Sequence, residues 1–479
     1  MTAVYAGLDF GTTNSLLGVW DGGAPTSLKL EGDNNFIPSC MYTPKQTVDV
    51  LTPNESEVQR RVAALRRERD TAIDPSADEE LTARMRATLL RELHAAETAR
   101  LQEQTLDRAL RGAQEVYFGE QALEKHIEDP LLGFFTKSPK PFFGSKLEKS
   151  RLDIFAEITR RMLYNIKSIG ERQLQTSIDK IVIGRPVNFN GLQGEAGNRQ
   201  ALTLLELAAR AAGFNDIEFL YEPVAAALDY ERQLTRDINL LVLDVGGGTT
   251  DCALIKVGPS CRERFDRSGD ILGISGVRVG GMDLDMQLAL HSIFPAFGKG
   301  THLKSGLPVP SALFFQAAAI NDVNYQRDFA SGNTLRSIQQ LLRDAVEPDK
   351  LTRLLTLQTE KLTYRLNRSA ELAKIQLSEH EQTNIALPYI EADLELPISR
   401  ADLAAAVEKT LQHFCALMDE AVAQAGIAPD AIYVTGGTAK SPLVYNFVRA
   451  RYPDADIITG DLFGGVVAGL TTWAARVYC

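Results

Sequence analysis

Long apolar runs are missing from this 479-residue chain: none approaches the roughly 20 residues that a membrane span requires. Cysteine is sparse. Cys40, Cys252, Cys261, Cys415 and Cys479 are scattered, odd in number and contain no C-x-x-C, which argues against a disulfide framework or a zinc site and makes a reducing cytoplasm the expected setting. The opening "MTAVYAGLDFGTTNS" has no basic stretch ahead of an apolar one, so no signal peptide is expected. Positive charge is in deficit, with a net charge of −11, which argues against broad binding to nucleic acid or anionic membranes. A small anion held locally is still compatible.

What is present is an ordinary globular composition at a length that favours two or more domains or lobes. Apolar strands alternate with helical stretches. Residues 3–8, 16–20, 180–186, 217–223, 431–438 and 454–460 read as strands. Residues 151–169, 198–212, 351–378, 400–425 and 464–478 read as helices, and 118–144 as loop. That alternation indicates an α/β architecture. Residues 54–111 differ from the rest, with no glycine and no aromatic residue. They are rich in Ala, Leu, Arg and Glu, with a break expected at Asp74-Pro75. This segment reads as a helical insertion resting on the body by one apolar face, with a partner-binding arm as the alternative. Residues 258–345 are poorly periodic.

Two stretches echo one another. "GLDFGTTNSLLGV" (7–19) and "VLDVGGGTTDCAL" (242–254) both run apolar strand, Asp, Gly-Thr-Thr turn, apolar strand. Glycine-rich backbone can present several N–H groups in one concavity, and threonine hydroxyls add donors to the same anion. A carboxylate at the end of each strand suits Mg²⁺ held through water. One such turn is a weak signal and can be a plain hairpin; two matched copies suggest two lobes clamping a polyphosphate. "YVTGGTAKSP" (433–442) ends a strand in two glycines where a nucleoside can pass close to the backbone. "YEPVAAA" (221–227) puts Glu222 at a strand-to-helix turn, where it can position or deprotonate a water or simply satisfy the helix dipole. "RVGGMDLD" (278–285) adds a Gly-Gly turn whose Asp283 and Asp285 read as structural.

"GLDFGTTNS", "YEPVAAALDY", "LVLDVGGGTTD" and "IYVTGGTAKSPLV" together resemble, in order, the phosphate, connecting and adenosine signatures of the actin, sugar-kinase and heat-shock ATPase superfamily. "GGGTTD" and "VGGMDLD" are similar to the DnaK-type heat-shock chaperone branch, and "IGRPVNF", "KSPKPFFG" and "GGGTTDCAL" to its short bacterial YegD-like members. The resemblance implies an actin-like ATPase fold: two lobes, each on a duplicated ribonuclease-H-like mixed β-sheet with flanking helices, and a nucleotide cleft between them. It implies lobe I over 1–235, carrying the 54–112 insertion, and lobe II over 236–460, with an outer part at 282–398. The closing helix within 461–479 would return to lobe I, and no peptide-binding domain is expected after it.

The resemblance further implies ATP or ADP with Mg²⁺ as ligands. Asp9 and Asp244 would organise the metal through water. Gly11, Thr12, Thr13, Asn14 and Gly246, Gly247, Gly248, Thr249 would hold the phosphates. Glu222 and Asp251 would act near the attacking water. Gly281, Glu371, Lys374, Ser378, Gly436, Gly437 and Thr438 would line the nucleotide, and Pro186 would couple nucleotide state to lobe arrangement. Two departures stand out. Ile375 replaces the arginine that stacks on adenine, removing a cation–π contribution. Leu123, in "FGEQAL", falls where a lysine that stabilises phosphoryl transfer is expected, with Lys125, Lys137 or Lys140 as substitutes. The implied function is an ATP-binding, slowly hydrolysing chaperone-like switch, read by a protein client or co-chaperone. A binding-only pseudo-ATPase, a nucleotide-dependent filament and a small-molecule kinase are the alternatives.

Overall fold

The computed structural model describes residues 4–44, 60, 115–128, 133–189, 194–460 and 464–478. The chain forms two units. One holds Met1–Tyr42, Tyr117–Leu131 and Phe135–Cys479; the other holds Thr43–Val116 and Leu132–Phe134. Apart from Arg60, the expected helices of the 54–112 insertion lie outside the described residues.

The first unit is built on two sheets of the same topology. In the first, β1 (Tyr5–Phe10), β2 (Asn14–Asp21) and β3 (Ala24–Ser27) form an antiparallel meander, with β4 (Phe36–Pro38) also pairing β2. The short strands β5 (Cys40–Pro44), β6 (Tyr117–Phe118) and β7 (Gly133–Lys137) make a separate small sheet in the order β6-β5-β7. β8 (Lys180–Arg185) and β9 (Asp216–Tyr221) extend the first sheet in parallel beyond β1, giving the order β3-β2-β1-β8-β9. The second sheet repeats the plan. β10 (Ile238–Val245), β11 (Thr250–Val257) and β12 (Ile271–Val277) are antiparallel, and β15 (Ala431–Thr435) and β16 (Asp456–Thr459) are parallel, in the order β12-β11-β10-β15-β16. A hairpin, β13 (Gln382–Ala386) with β14 (Glu395–Ser399), stands apart.

Sequence explains both sheets. The central strand β10, "INLLVLDV", is buried along nearly its whole length, as expected of a strand covered on both faces rather than alternating. Helices supply the covers. Gly465–Tyr478 lies across β1, β2 and β8 and packs on the helix Glu222–Glu231. The approach is close. A Cβ on Gly7 would stand 2.4 Å from the Thr471 amide nitrogen, and one on Gly469 would stand 1.7 Å from the Ala225 carbonyl oxygen. These contacts fix the start of the Glu222–Glu231 helix, and with it Glu222, against the first sheet.

Several element expectations need correction. The strands of the first hairpin run farther than 3–8 and 16–20, reaching the turn itself. The single helix expected over 351–378 is two, Pro348–Thr359 and Thr363–Glu379, because Lys361 takes a left-handed φ of 53°. The stretch 118–144, expected as loop, contains the helix Gly119–Glu128 and β7. The poorly periodic 258–345 region holds the short helices Ser311–Ala318 and Val323–Phe329, too brief to show a sustained period, and the longer helix Gly332–Asp344, whose period the sequence reading missed. Among the described residues, no helix is long and apolar enough to cross a membrane.

Candidate functional site

Each sheet presents a tight turn between its first two strands, and the two turns meet. Gly11–Thr13 joins β1 to β2, and Gly246–Thr249 joins β10 to β11. The second turn closes on itself through Gly246 N–H donating to Thr249 O at 3.0 Å. Its glycines answer to the first turn. A Cβ on Gly247 would stand 1.9 Å from Thr13 Oγ1, and one on Gly248 2.9 Å from Thr12 Oγ1. The threonines of one hairpin occupy the space that side chains on the other would need.

A cleft opens beside this contact. Asp9, Gly11, Thr12, Thr13 and Asn14 line it from the first sheet, and Asp244, Gly246, Gly247 and Thr249 from the second. Gly436, Gly437 and Thr438 follow β15 into the same wall, completed by Gly281, Glu371, Lys374 and Ile375. Gly436 has φ 89°, and a Cβ there would stand 2.6 Å from Asp244 Oδ1, so this backbone packs directly on the carboxylate. The helix Gly281–Leu288 docks on the second turn, with Gly281 N–H donating to Gly246 O (2.9 Å) and Met282 N–H to Gly247 O (2.8 Å).

The cleft floor is acidic, with one lysine set in it. Lys140 and Glu222, both buried, form an ion pair of 2.6 Å between Nζ and Oε1. Burial raises Asp9 to about 7, with repulsion from Glu222 adding to it and Lys140 offsetting part. Burial likewise raises Asp244 well above the carboxylate range, reinforced by Glu222, Asp251 and Asp9. Asp251, directly opposite Asp244 in the β10–β11 ladder, rises to about 7 through burial and then Glu222. Burial pulls the Lys140 ammonium down, but Glu222, Asp9 and Asp251 outweigh it and hold it above its ordinary value. Such a concentration of carboxyl oxygens around one cation suits a hard divalent ion. Among the described residues no three carboxylate, histidine or cysteine side chains converge to hold an ion directly. The donor set therefore fits Mg²⁺ bound through water and phosphate oxygens, which is how that ion is commonly held.

Three anticipated residues sit elsewhere. Gly248 turns its Cα face to Thr12 rather than to the opening. Asp251 is fully buried, and its Oδ1 accepts the Val187 N–H at 2.7 Å, tying the segment after Pro186 to β11 instead of facing the cleft. Ser378 does not line the cleft, and its hydroxyl donates at 3.4 Å to Lys374 O one turn back on its own helix. Leu123 packs against the Cys40, Tyr42 and Ala122 cluster, and of the three lysines named as substitutes Lys140 lines the cleft, paired with Glu222. Of the three candidate substitutes, Lys125 points outward to Glu128 (3.2 Å) and Lys137 lines an adjoining cavity.

Asp285, expected to be structural rather than catalytic, also lines the cleft. It ion-pairs with Lys374 at 2.8 Å, while Lys374 also donates to Gly281 O at 3.1 Å. Burial raises the Asp285 carboxyl to about 6 despite Lys374. Asp283 does serve structure, accepting the Gly280 N–H at 2.8 Å to cap its helix. Acid and base at i and i+3, Glu371 and Lys374 in "SAELAKIQLSE", signal one polar helix face, but the partner Asp285 is distant in sequence.

A family model described as "Hsp70 protein" matches residues 149–303 and 341–454, more than half of the chain. The chain is also similar to the chaperone protein DnaK from two strains of Thermus thermophilus. Each is 25% identical over 459 residues, covering 93% of this chain and 56% of the relative. The chain thus spans about half the length of the curated relatives it matches.

Proposed function

The chain belongs to the Hsp70 family, and from that premise we propose that it binds ATP with Mg²⁺ in the cleft between its two hairpin turns and hydrolyses it slowly. On this reading it is a chaperone-like switch, with ATP and ADP favouring different arrangements of lobe I and lobe II. The observation that carries the reading is the Lys140–Glu222 pair at the foot of two touching, glycine-rich turns.

The backbone amides of Gly11–Thr13, with those of Gly247 and Thr249, grip the β- and γ-phosphates, as glycine-rich turns do. Asp9 and Asp244 are the residues that would hold a Mg²⁺ through its waters, and that ion would supply neutralisation of the phosphate charge. Glu222 accepts a hydrogen bond from the attacking water and takes its proton as the water oxygen bonds to the γ-phosphorus. The bond from that phosphorus to the bridging oxygen breaks, leaving ADP and phosphate. Lys140, released from Glu222 toward the phosphates, stabilises the negative charge that develops. Its presence favours hydrolysis over the binding-only alternative. Gly436, Gly437 and Thr438 lie along the nucleoside, with Lys374 and Glu371 on the facing wall. Ile375, half exposed, packs on the base without a cationic partner. Asp251 acts through Val187 as a positioning residue rather than at the water.

Phosphate release measured beside nucleotide titration tests this assignment. Glu222→Ala is expected to lower turnover roughly 100-fold while ADP affinity stays within a few-fold. Unchanged turnover removes the role of Glu222. Scattering profiles that do not differ between saturating ATP and ADP remove the switch.

A further inference from the structure

The parallel strands β8 and β9 lie side by side, with Gly184 opposite Leu220 and Arg185 opposite Tyr221. Glu222 follows Tyr221 directly and opens its helix, for which Tyr221 is the N-cap. Successive side chains on a strand point to opposite faces. The Gly184 side of β8 meets Glu222: a Cβ there would stand 3.1 Å from Glu222 Cγ. Arg185, the next residue, lies over Tyr221. Its guanidinium carbon stands 4.5 Å from the centroid of the Tyr221 ring and 5.9 Å from that of the buried Phe189 ring.

The same guanidinium holds backbone. Arg185 Nε donates to Pro186 O at 3.2 Å and Nη2 to Val187 O at 3.3 Å. The segment so held is fastened to the second sheet. Val187 N–H donates to Asp251 Oδ1 on β11 at 2.7 Å, and Asn188 Nδ2 donates to Gly276 O on β12 at 3.0 Å. The fit is close there as well, since a Cβ on Gly276 would stand 2.8 Å from Val187 Cβ. Arg185 thus touches, on one side, the residue that sets the Glu222 backbone. On the other it touches the segment pinned to the second sheet. A planar cation suits both tasks: its face lies on a ring while its N–H edge reaches the carbonyls.

We propose that Arg185 is a positioning residue for Glu222. Acting through Tyr221, it aims the carboxylate at the attacking water, and it does so relative to the second sheet, which supplies Asp244 and the Gly246–Thr249 turn. Glu222 is then fixed at two points, by Lys140 at its Oε1 and by the Arg185–Tyr221 stack behind its backbone. Arg185 does not itself line the cleft, so its loss leaves the walls around the nucleotide in place. This role rests on hydrolysis through Glu222 as proposed above.

A double-mutant cycle of Arg185→Met and Glu222→Ala tests it, read by single-turnover phosphate release beside ADP titration and melting temperature. Arg185→Met keeps the length of the side chain and removes the planar cation. Turnover is expected to fall roughly tenfold with ADP affinity held within about twofold, since a misaimed group loses rate rather than binding. In the Glu222→Ala background the same substitution should change turnover by less than about twofold, because Arg185 acts through Glu222. Arg185→Lys, which keeps a cation over the ring without the two-pronged hold, should recover part of the rate. Tyr221→Leu should reproduce Arg185→Met, and it carries the test if Arg185→Met does not fold. Turnover that is unchanged beside a lowered melting temperature, equal losses of rate and ADP affinity, or an undiminished loss in the Glu222→Ala background would each overturn the proposal. Unchanged turnover in Glu222→Ala alone would instead remove the role of Glu222, and this proposal with it.

Discussion

The two hairpins share a plan but not a composition. The first turn, "DFGTTN", has one glycine; the second, "DVGGGTT", has three. In the structure they are complementary halves of one contact. Thr12 and Thr13 project from the first turn into the space that the second keeps empty. A duplicated element that faces its own copy cannot carry bulky side chains on both sides. Each side also places a carboxylate at the strand end, Asp9 on one and Asp244 on the other. The halves differ again in what stands behind them. Lys140 and Glu222 lie on segments outside both hairpins, so on the proposed reading gripping the phosphates and cleaving them fall to different parts of the chain.

That division can be broken experimentally. The largest effect is expected from Lys140→Ala, which removes the cation proposed to face the reacting phosphate and leaves Glu222 buried without its partner. Turnover, followed by phosphate release, should fall at least roughly 100-fold, while ADP affinity measured by calorimetry moves much less. Equal losses in both would place Lys140 in the grip rather than the chemistry.

Gly247→Ala probes the contact itself. Its methyl group would stand where Thr13 Oγ1 lies, so the turns must part. ADP affinity should drop roughly tenfold or more, as overpacking at a tight contact typically costs about 1–3 kcal/mol. Adding Thr13→Ala should restore part of that loss, a non-additivity that a double-mutant cycle measures directly. Strictly additive effects would mean that the turns act independently.

A smaller effect concerns pH. Asp9 and Asp251 both rise to about 7 in the folded chain, from an ordinary 3.8. A carboxyl with a raised folded pKa favours the folded state while it is protonated, and that contribution is lost as pH climbs from about 4 through 7. Without metal or nucleotide, the melting temperature should be on the order of 5 °C lower at about pH 8 than at about pH 5.5. Mg²⁺ with ADP should narrow the gap by neutralising the same carboxylates. A melting temperature that is flat over this range, or that rises, would contradict the burial of these groups.

The paired turns were legible in the sequence because both their chemistry and their flanking strands repeat. Apolar runs such as "NLLVLDV" announce a buried strand regardless of what surrounds them. Lys140 could only be named beside Lys125 and Lys137. The "KSPKPFFG" segment has no periodicity, and its path is set by nonlocal contacts such as Ser138 N–H to Ser39 O at 2.7 Å. The place of Asp285 in the cleft lining was not legible for a related reason: its partner Lys374 is remote in the chain, on a different helix. Asp251 has the right residue type in the right motif, yet a backbone amide from the first sheet's connection captures it. The break at Lys361 carries no glycine or proline to mark it, since lysine adopts the left-handed conformation there under the demands of packing.

Calorimetric titration with ADP and with AMP, each with Mg²⁺, tests most directly whether two touching turns hold one polyphosphate. The turns should add their amides to the β-phosphate, so ADP is expected to bind one-to-one and at least roughly tenfold tighter than AMP. AMP binding as tightly as ADP, or neither binding to a chain shown to be folded, would contradict the account.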